Sequence, residues 1–225
     1  MYIPIKFVVI KFSIQKGRKQ IMSNVNLAII YYSMTGTNYK LSNWAAEGAK
    51  ENGAQVKVLK VQELAPQSII DTVPAWKAHI EATKNVPEAT QDDLEWADAI
   101  IFSTATRFGG PASQIKQFID SASSLWAKGK LVNKVVSAMS SASNTNGGQE
   151  AAILSIYTSM FHWGAIIAAP GYSDPITFAA GGNPYGTSAT ISMQGKFTED
   201  LDSLEKAVKH QAKRTVEIAA KIKQK

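Results

Sequence analysis

Apolar residues gather in five short runs, at 27–32, 55–61, 97–104, 134–140 and 165–170. The first, third and fifth are apolar nearly throughout. Strands covered on both faces read this way, since neither side of the pleat meets water, and burial on both faces goes with a parallel sheet. Between the runs the pattern takes a helical period. Residues 37–51 start behind a loop of hydroxyls and close at Asn52-Gly53, a C-terminal stop. Residues 111–123 open with Pro111, tolerated in a first turn, and set Ile115, Phe118, Ile119 and Ala122 on one stripe. Residues 150–161 follow a glycine pair. Residues 198–223 open with Thr198-Glu199-Asp200, a capping sequence. Their stripe at 201, 204, 208, 211, 215, 218 and 222 is apolar except at Gln211 and Thr215.

Five strands alternating with helices predict an α/β fold, a doubly wound five-stranded parallel sheet. The favoured strand order is the flavodoxin-like 2-1-3-4-5, with a ligand at the carboxyl ends of the strands beside the switch point. Two long polar stretches, 66–93 and 171–196, read as loops that serve function or subunit contact. Residues 25–225 are expected to form one domain and 1–24 a basic extension, disordered or a mis-start in which residues 1–21 lie upstream of a natural start at Met22; the alternative is a basic membrane-surface arm.

The net charge of +6 belongs to that extension. Lys6, Lys11, Lys16, Arg18 and Lys19 lie in residues 1–21 with no acid among them. Without those five, 19 basic residues face 18 acidic ones. A near-neutral body is not the footprint of a nucleic-acid-binding face. Lys6 and Lys11 interrupt the apolar residues of the extension, which makes it a poor signal peptide. No apolar run reaches the ~18 residues of a membrane span. The chain has no cysteine, which excludes disulfides and thiol chemistry, so redox activity requires a bound cofactor. The histidines, His79, His162 and His210, stand far apart in sequence, and no metal site is expected. The expected location is the cytoplasm.

The first strand runs into Ser33-Met34-Thr35-Gly36-Thr37-Asn38 and then a helix. Hydroxyls, one glycine, an amide and no lysine describe a cradle for a phosphate monoester, held by backbone N–H groups at a helix start. The alternative is an ordinary strand-to-helix turn capped by Ser or Thr. Two further loops should meet this one at the same edge, 104–111 after the third strand and 140–150 after the fourth. They offer backbone donors, small residues, one planar cation in Arg107 and one ring in Phe108, a set that a flavin requires. Taken alone, Arg107 reads as a surface salt-bridge residue, His162 as a satisfied core or helix-end histidine and Trp126 as packing.

Six segments in order carry a more specific signal. They are Tyr31-Tyr32-Ser33-Met34-Thr35-Gly36, Thr106-Arg107-Phe108-Gly109, Leu125-Trp126-Ala127-Lys128-Gly129, Gly147-Gly148-Gln149-Glu150, His162 with Gly164, and Gly182-Asn183-Pro184-Tyr185-Gly186. With them the chain resembles, over about residues 25–223, the WrbA family of flavodoxin-like NAD(P)H:quinone oxidoreductases. The resemblance implies FMN as cofactor and NAD(P)H as co-substrate. It implies that Ser33, Met34, Thr35, Gly36, Thr37 and Asn38 wrap the FMN phosphate. Thr106, Arg107 and Phe108 would hold the ring and ribityl region, with Ser141, Ala142, Asn144, Thr145, Asn146 and Gly147 along the flavin. His162 would reach the flavin site and is the candidate proton donor. Trp126 would line the quinone pocket, with Thr35 where the family often has a tyrosine linked to the nicotinamide. Trp163 stands where many members have a second histidine. The implied reaction is two-electron, ping-pong reduction of a quinone to its hydroquinone, in a homo-oligomer, dimer or tetramer. Two other readings stay open: a one-electron flavodoxin-type carrier, and a non-catalytic flavin-binding scaffold.

Overall fold

The computed structural model describes residues 25–192 and 194–223. The basic extension and the Met22 start lie outside the described residues. Apolar runs form β1 (Asn26–Tyr31), β2 (Gln55–Lys60), β3 (Ala99–Arg107) and β5 (Val135–Ala142), all parallel, with β1 between β2 and β3. Three short strands complete the sheet: β4 (Gly110–Pro111), β6 (Ile166–Ile167) and β7 (Ser188–Thr190). The main order is β2-β1-β3-β5-β6. This is the expected 2-1-3-4-5 arrangement, but seven strands stand where five were expected. One added strand, β4, folds back antiparallel on β3. The other arises because the fifth position is split. β6 pairs with Val135 and Val136 near the start of β5, and β7 pairs with Ser140, Ser141 and Ala142 near its end, while residues 168–187 loop out between.

Side chains alternate across the sheet, as the pleat requires. Leu27 and Ile29 face α1 (Thr37–Glu51) and α9 (Leu201–Lys223), whose Leu41, Trp44, Leu204 and Val208 close that core. Ala28 and Ile30 face the other way, toward α5 (Ser113–Asp120) and α7 (Gln149–Trp163) with Ile115, Phe118, Ile156 and Met160. Gln211 and Thr215, the polar exceptions on the α9 stripe, are buried with partners. Gln211 Nε2 donates to Ala138 O at 2.9 Å and its Oε1 accepts from Thr187 N–H at 2.7 Å. Thr215 Oγ1 donates to Gln211 O at 2.8 Å and lies 3.0 Å from Ser137 Oγ.

Two expectations need correction. The stretch 66–93 is not a plain loop. It holds α2 (Gln67–Ile70), α3 (Pro74–Ala82) and the start of α4 (Gln91–Trp96). Each is short and buries only one or two residues, so the periodic signal was too weak to read. Pro111 does not open a helix: it pairs with Thr106, and α5 begins at Ser113. The remaining helices are α6 (Ser123–Ala127) and α8 (Ile176–Ala179).

Candidate functional site

The order β2-β1-β3 reverses direction at β1, which opens a crevice at the carboxyl ends of β1 and β3. The first loop leads from β1 into α1. Ser33 Oγ accepts the Gly36 N–H at 3.0 Å, and Gly36 turns the chain at a φ of 102°, which favours glycine. No side chain caps α1. Its first backbone bond runs from Lys40 N–H to Gly36 O, so the N–H groups of Thr37, Asn38 and Tyr39 have no helical partner. Uncapped donors at the positive end of a fifteen-residue helix suit a phosphate monoester.

The second loop is a hairpin. β3 runs three residues past its expected end and returns through Phe108-Gly109 into β4. Both turn residues have positive φ, 50° and 81°, the requirement of a tight hairpin that follows the sheet twist. Phenylalanine in that region costs about 1 kcal/mol, and its ring is fully exposed. A strained aromatic side chain with no place in the core is the pattern of a ligand-facing residue. Beside it, Arg107 Nη2 lies 3.2 Å from Met34 Sδ, which ties the second loop to the first.

The third loop follows β5. Asn146 N–H donates to Asn144 Oδ1 at 3.0 Å, and the buried Gln149 braces the loop by donating from Nε2 to Asn144 O at 2.9 Å. Gly148, at a φ of 88°, meets the hairpin: a β-carbon there would stand 2.7 Å from Gly109 Cα. A side chain at position 148 would block that approach, whereas a β-carbon at Gly109 would meet nothing within 4 Å. Ser143, Asn144, Thr145 and Asn146 are exposed, Ala142 and Gly147 half-buried, and Ser141 buried at the end of β5.

Asn38 joins all three loops. It is buried, and in one orientation its carboxamide satisfies four neighbours. The oxygen accepts from Ser141 Oγ at 2.8 Å and Ala105 N–H at 3.0 Å, and the nitrogen donates to Ser103 Oγ and Thr104 O, both at 3.2 Å. The side chain of Asn38 therefore locks the cradle from inside and does not wrap a phosphate. Its backbone N–H remains one of the free donors. Thr35 is exposed, Met34 and Thr37 are half-buried, and Thr106 lies half-buried in the hairpin.

Two neighbours support the first loop. Glu63, after β2, accepts from Tyr32 Oη and Trp76 Nε1, both at 3.1 Å, and from Gln114 Nε2 at 2.6 Å. Burial first, and then the Glu63 carboxylate, push the Tyr32 phenol well above its ordinary range, against a smaller opposing effect of Arg107. The second neighbour is His79 on α3, which stands against Gly36. Burial, then the nearby Lys60 ammonium, hold its imidazole below the ordinary value. Glu63, His79, Gln114 and Gln149 were not singled out from sequence. Glu63, His79 and Gln114 are lone polar residues whose partners lie far along the chain, so spacing carries no signal. Gln149 alone sat inside a quoted segment.

His162 and Trp126 lie elsewhere. His162 is at the far end of α7, about 20 Å along the helix from Gln149 and the loops. Its carbonyl accepts from Trp126 Nε1 at 2.8 Å, and Gly164 O accepts from Asn133 N–H beside the start of β5. Both residues are exposed at the amino edge of the sheet. Within one protomer neither reaches the loops, because α7 runs antiparallel to the strand it follows. A cleft of about 590 Å³ opens beside the third loop, lined in part by Thr145, Gly148, Glu150, Thr190 and Glu199. Its two carboxylates suit a phosphate-bearing ligand poorly. Among the described residues no three His, Asp or Glu side chains gather as a metal site, and no helix is long and apolar enough to cross a membrane.

Known proteins resemble this chain in sequence and in fold. The sequence profile of the NADPH-dependent FMN reductase family matches residues 25–173. A protein of Deinococcus radiodurans named NAD(P)H dehydrogenase (quinone) is 52% identical over 198 residues, covering 88% of this chain and 97% of its own. One of the same name from Methylocella silvestris is 39% identical over 202 residues, covering 87% and 97%. Among solved structures, a flavodoxin, WrbA-like protein of Agrobacterium tumefaciens aligns over 89% of this chain and 99% of its own, with a TM-score of 0.56 at 21% identity. At that identity the structural likeness speaks for the flavodoxin-like fold alone. Profile and relatives together establish that the chain belongs to the NADPH-dependent FMN reductase family.

Proposed function

We propose that this chain is an FMN-dependent NAD(P)H:quinone oxidoreductase. The observation that carries the reading is the convergence of three loops on one uncapped helix start, locked by Asn38 and by the Gly109–Gly148 approach. The relatives named NAD(P)H dehydrogenase (quinone) supply the substrate class, and the six sequence segments support a place among the WrbA-type members.

These residues fit FMN. The N–H groups of Thr37, Asn38 and Tyr39, with the hydroxyls of Ser33, Thr35 and Thr37, would hold the phosphate. Thr106, Arg107, Phe108 and the segment 141–147 would hold the ring system. Bound there, the flavin supplies the two-electron couple that links NAD(P)H to a quinone. The chain does the rest. Arg107 brings a fixed positive charge to the edge where reduction accumulates negative charge. Phe108 shields one side of the site from water. The nicotinamide and the quinone use one pocket in turn, which gives ping-pong kinetics.

A complete pocket needs a second copy. Trp126 and His162 sit on the opposite edge of their own protomer, so they would serve the loops of a neighbour in a dimer or tetramer. Exposed Leu154 and Phe161 on α7, with exposed Trp126, support such an assembly. His162 would then stand as proton donor and Trp126 as the quinone wall. A soluble NAD(P)H pool suits a cytoplasmic location.

Anaerobic NADPH or NADH added to the FMN-loaded protein tests the reading. The blue absorbance of the bound flavin should bleach with one equivalent and return with one equivalent of benzoquinone. A carrier that bleaches only with a partner reductase, or a scaffold that does not bleach, would contradict it.

A further inference from the structure

α3 packs over the first loop and sets His79 against the turn of the cradle. A β-carbon on Gly36 would lie 3.6 Å from His79 Nδ1, so the imidazole is within contact range of the residue that starts α1. Its ring centroid is 5.8 Å from that of Tyr39, which is 5.4 Å from that of Tyr31. Beside the ring is a cavity of about 140 Å³ whose lining includes Tyr31, Ser33, Lys60, Glu63, His79 and Glu88. Tyr31 is buried and its hydroxyl has no hydrogen-bond partner. The cavity thus joins the back of the first loop to a titratable ring and an unsatisfied polar atom.

We propose that His79 is a further residue of the phosphate site, taking up a proton when the phosphate dianion of FMN settles at the Gly36 turn. The proposal rests on the FMN reading above. A phosphate monoester carries about −1.5 to −2 charges near neutral pH. An opposite charge within a few ångströms favours the protonated imidazole. The groups around the ring decide the starting state. Lys60 approaches from β2, with its Nζ donating to Thr83 O at 2.9 Å. Tyr39 approaches from α1 and Tyr31 from β1, while Glu63 and Glu88 line the shared cavity from the segments after and beside β2. Before the dianion arrives, burial and Lys60 disfavour the charged ring. The dianion reverses that balance. Binding of FMN, but not of riboflavin, is then coupled to proton uptake at His79.

The sign is definite. If the bound value lies about one unit above the free one, uptake peaks at about half a proton between the two values. The affinity advantage of wild type over His79→Asn then grows by up to about tenfold as pH falls through the two values. The second ionisation of the phosphate itself falls in the same range and is coupled to the ring, so the comparison includes pH values above about 7, where free FMN is mostly the dianion for both proteins.

The test is calorimetric titration of apoprotein with FMN and with riboflavin at a series of pH values, in buffers of different ionisation enthalpy. Wild type should take up more protons with FMN than His79→Asn does, the difference peaking at about half a proton within the series, and the two should match with riboflavin. Equal uptake by the two proteins with FMN overturns the role of His79 while leaving FMN binding intact. Failure of wild type to bind FMN overturns the functional reading and this proposal together. Should His79→Asn not fold, the His79 ring is titrated by NMR in wild type with and without FMN. A rise of about one unit supports the proposal, and an unchanged value overturns it.

Discussion

Gln114 Nε2 donates to Glu63 Oε1 across 2.6 Å, which joins the helix behind the second loop to the segment after β2. Glu63 also takes the Tyr32 hydroxyl, next to Ser33, and the Trp76 indole. One half-buried carboxylate therefore holds the outer wall of the cradle from three directions. Replacing Glu63 with alanine leaves those donors without an acceptor. Unfolding free energy should fall by about 2–3 kcal/mol, read by urea denaturation, and FMN affinity should fall with it. Glu63→Gln keeps one acceptor and should lose about 1 kcal/mol. Unchanged values for both variants would show that the wall stands without Glu63.

Phe108 is strained and exposed, so its value to the fold is negative. Phe108→Asn places a residue that tolerates left-handed backbone at the same turn. Thermal unfolding of the apoprotein should show a gain of about 0.5–1 kcal/mol, while FMN binds more weakly. A loss of apoprotein stability would mean that the ring supports the fold.

Gly148 and Gly109 touch through bare backbone. Gly148→Ala adds a β-carbon 2.7 Å from Gly109 Cα at a φ of 88°, so the second and third loops must part. The variant should lose about 1–3 kcal/mol of stability and lose FMN affinity more than substrate KM changes. FMN titration and denaturation curves check both.

Asp93 predicts an acid-sensitive step. Burial alone would raise its carboxyl, but the Lys57 ammonium at 2.8 Å, the Thr90 hydroxyl and the Thr90 N–H together hold it below the ordinary value. The folded state thus favours the ionised form. Its contribution is complete above the unfolded value of about 3.9 and is lost as pH falls through the lower folded value. Asp93→Asn should cost about 1–2 kcal/mol at pH 7, with the gap to wild type closing as pH falls below the unfolded value and through the lower folded one. A gap that does not depend on pH would exclude this carboxylate as the cause.

The proposed role of Trp126 separates cofactor binding from quinone binding. Trp126→Ala should raise quinone KM by about tenfold, the worth of one aromatic contact, and leave FMN affinity unchanged. Sedimentation of the same variant reports whether the assembly survives.

The strand order and the edge carrying the site were legible because apolar runs and glycine-hydroxyl loops are local signals. β1, α1 and the loop between them sit where periodicity placed them. The split fifth strand was not legible, because β6 has two residues and β7 three, too few for a pattern. Asn38 was read as a phosphate ligand because it ends a run of donors; that its side chain turns inward to Ser141 and Ala105 depends on strands that lie far along the chain. His162 was placed near the flavin by resemblance, and α7 carries it to the other edge within its own protomer. Glu63 and His79 gave no signal, since a single acid or imidazole in a polar stretch looks like surface.

The most direct measurement is steady-state oxidation of NADPH and NADH with benzoquinone by the purified protein, with and without added FMN. Saturable turnover that requires FMN, exceeds the rate of free FMN and gives parallel double-reciprocal lines is the predicted result. A rate no greater than that of free FMN would contradict the account.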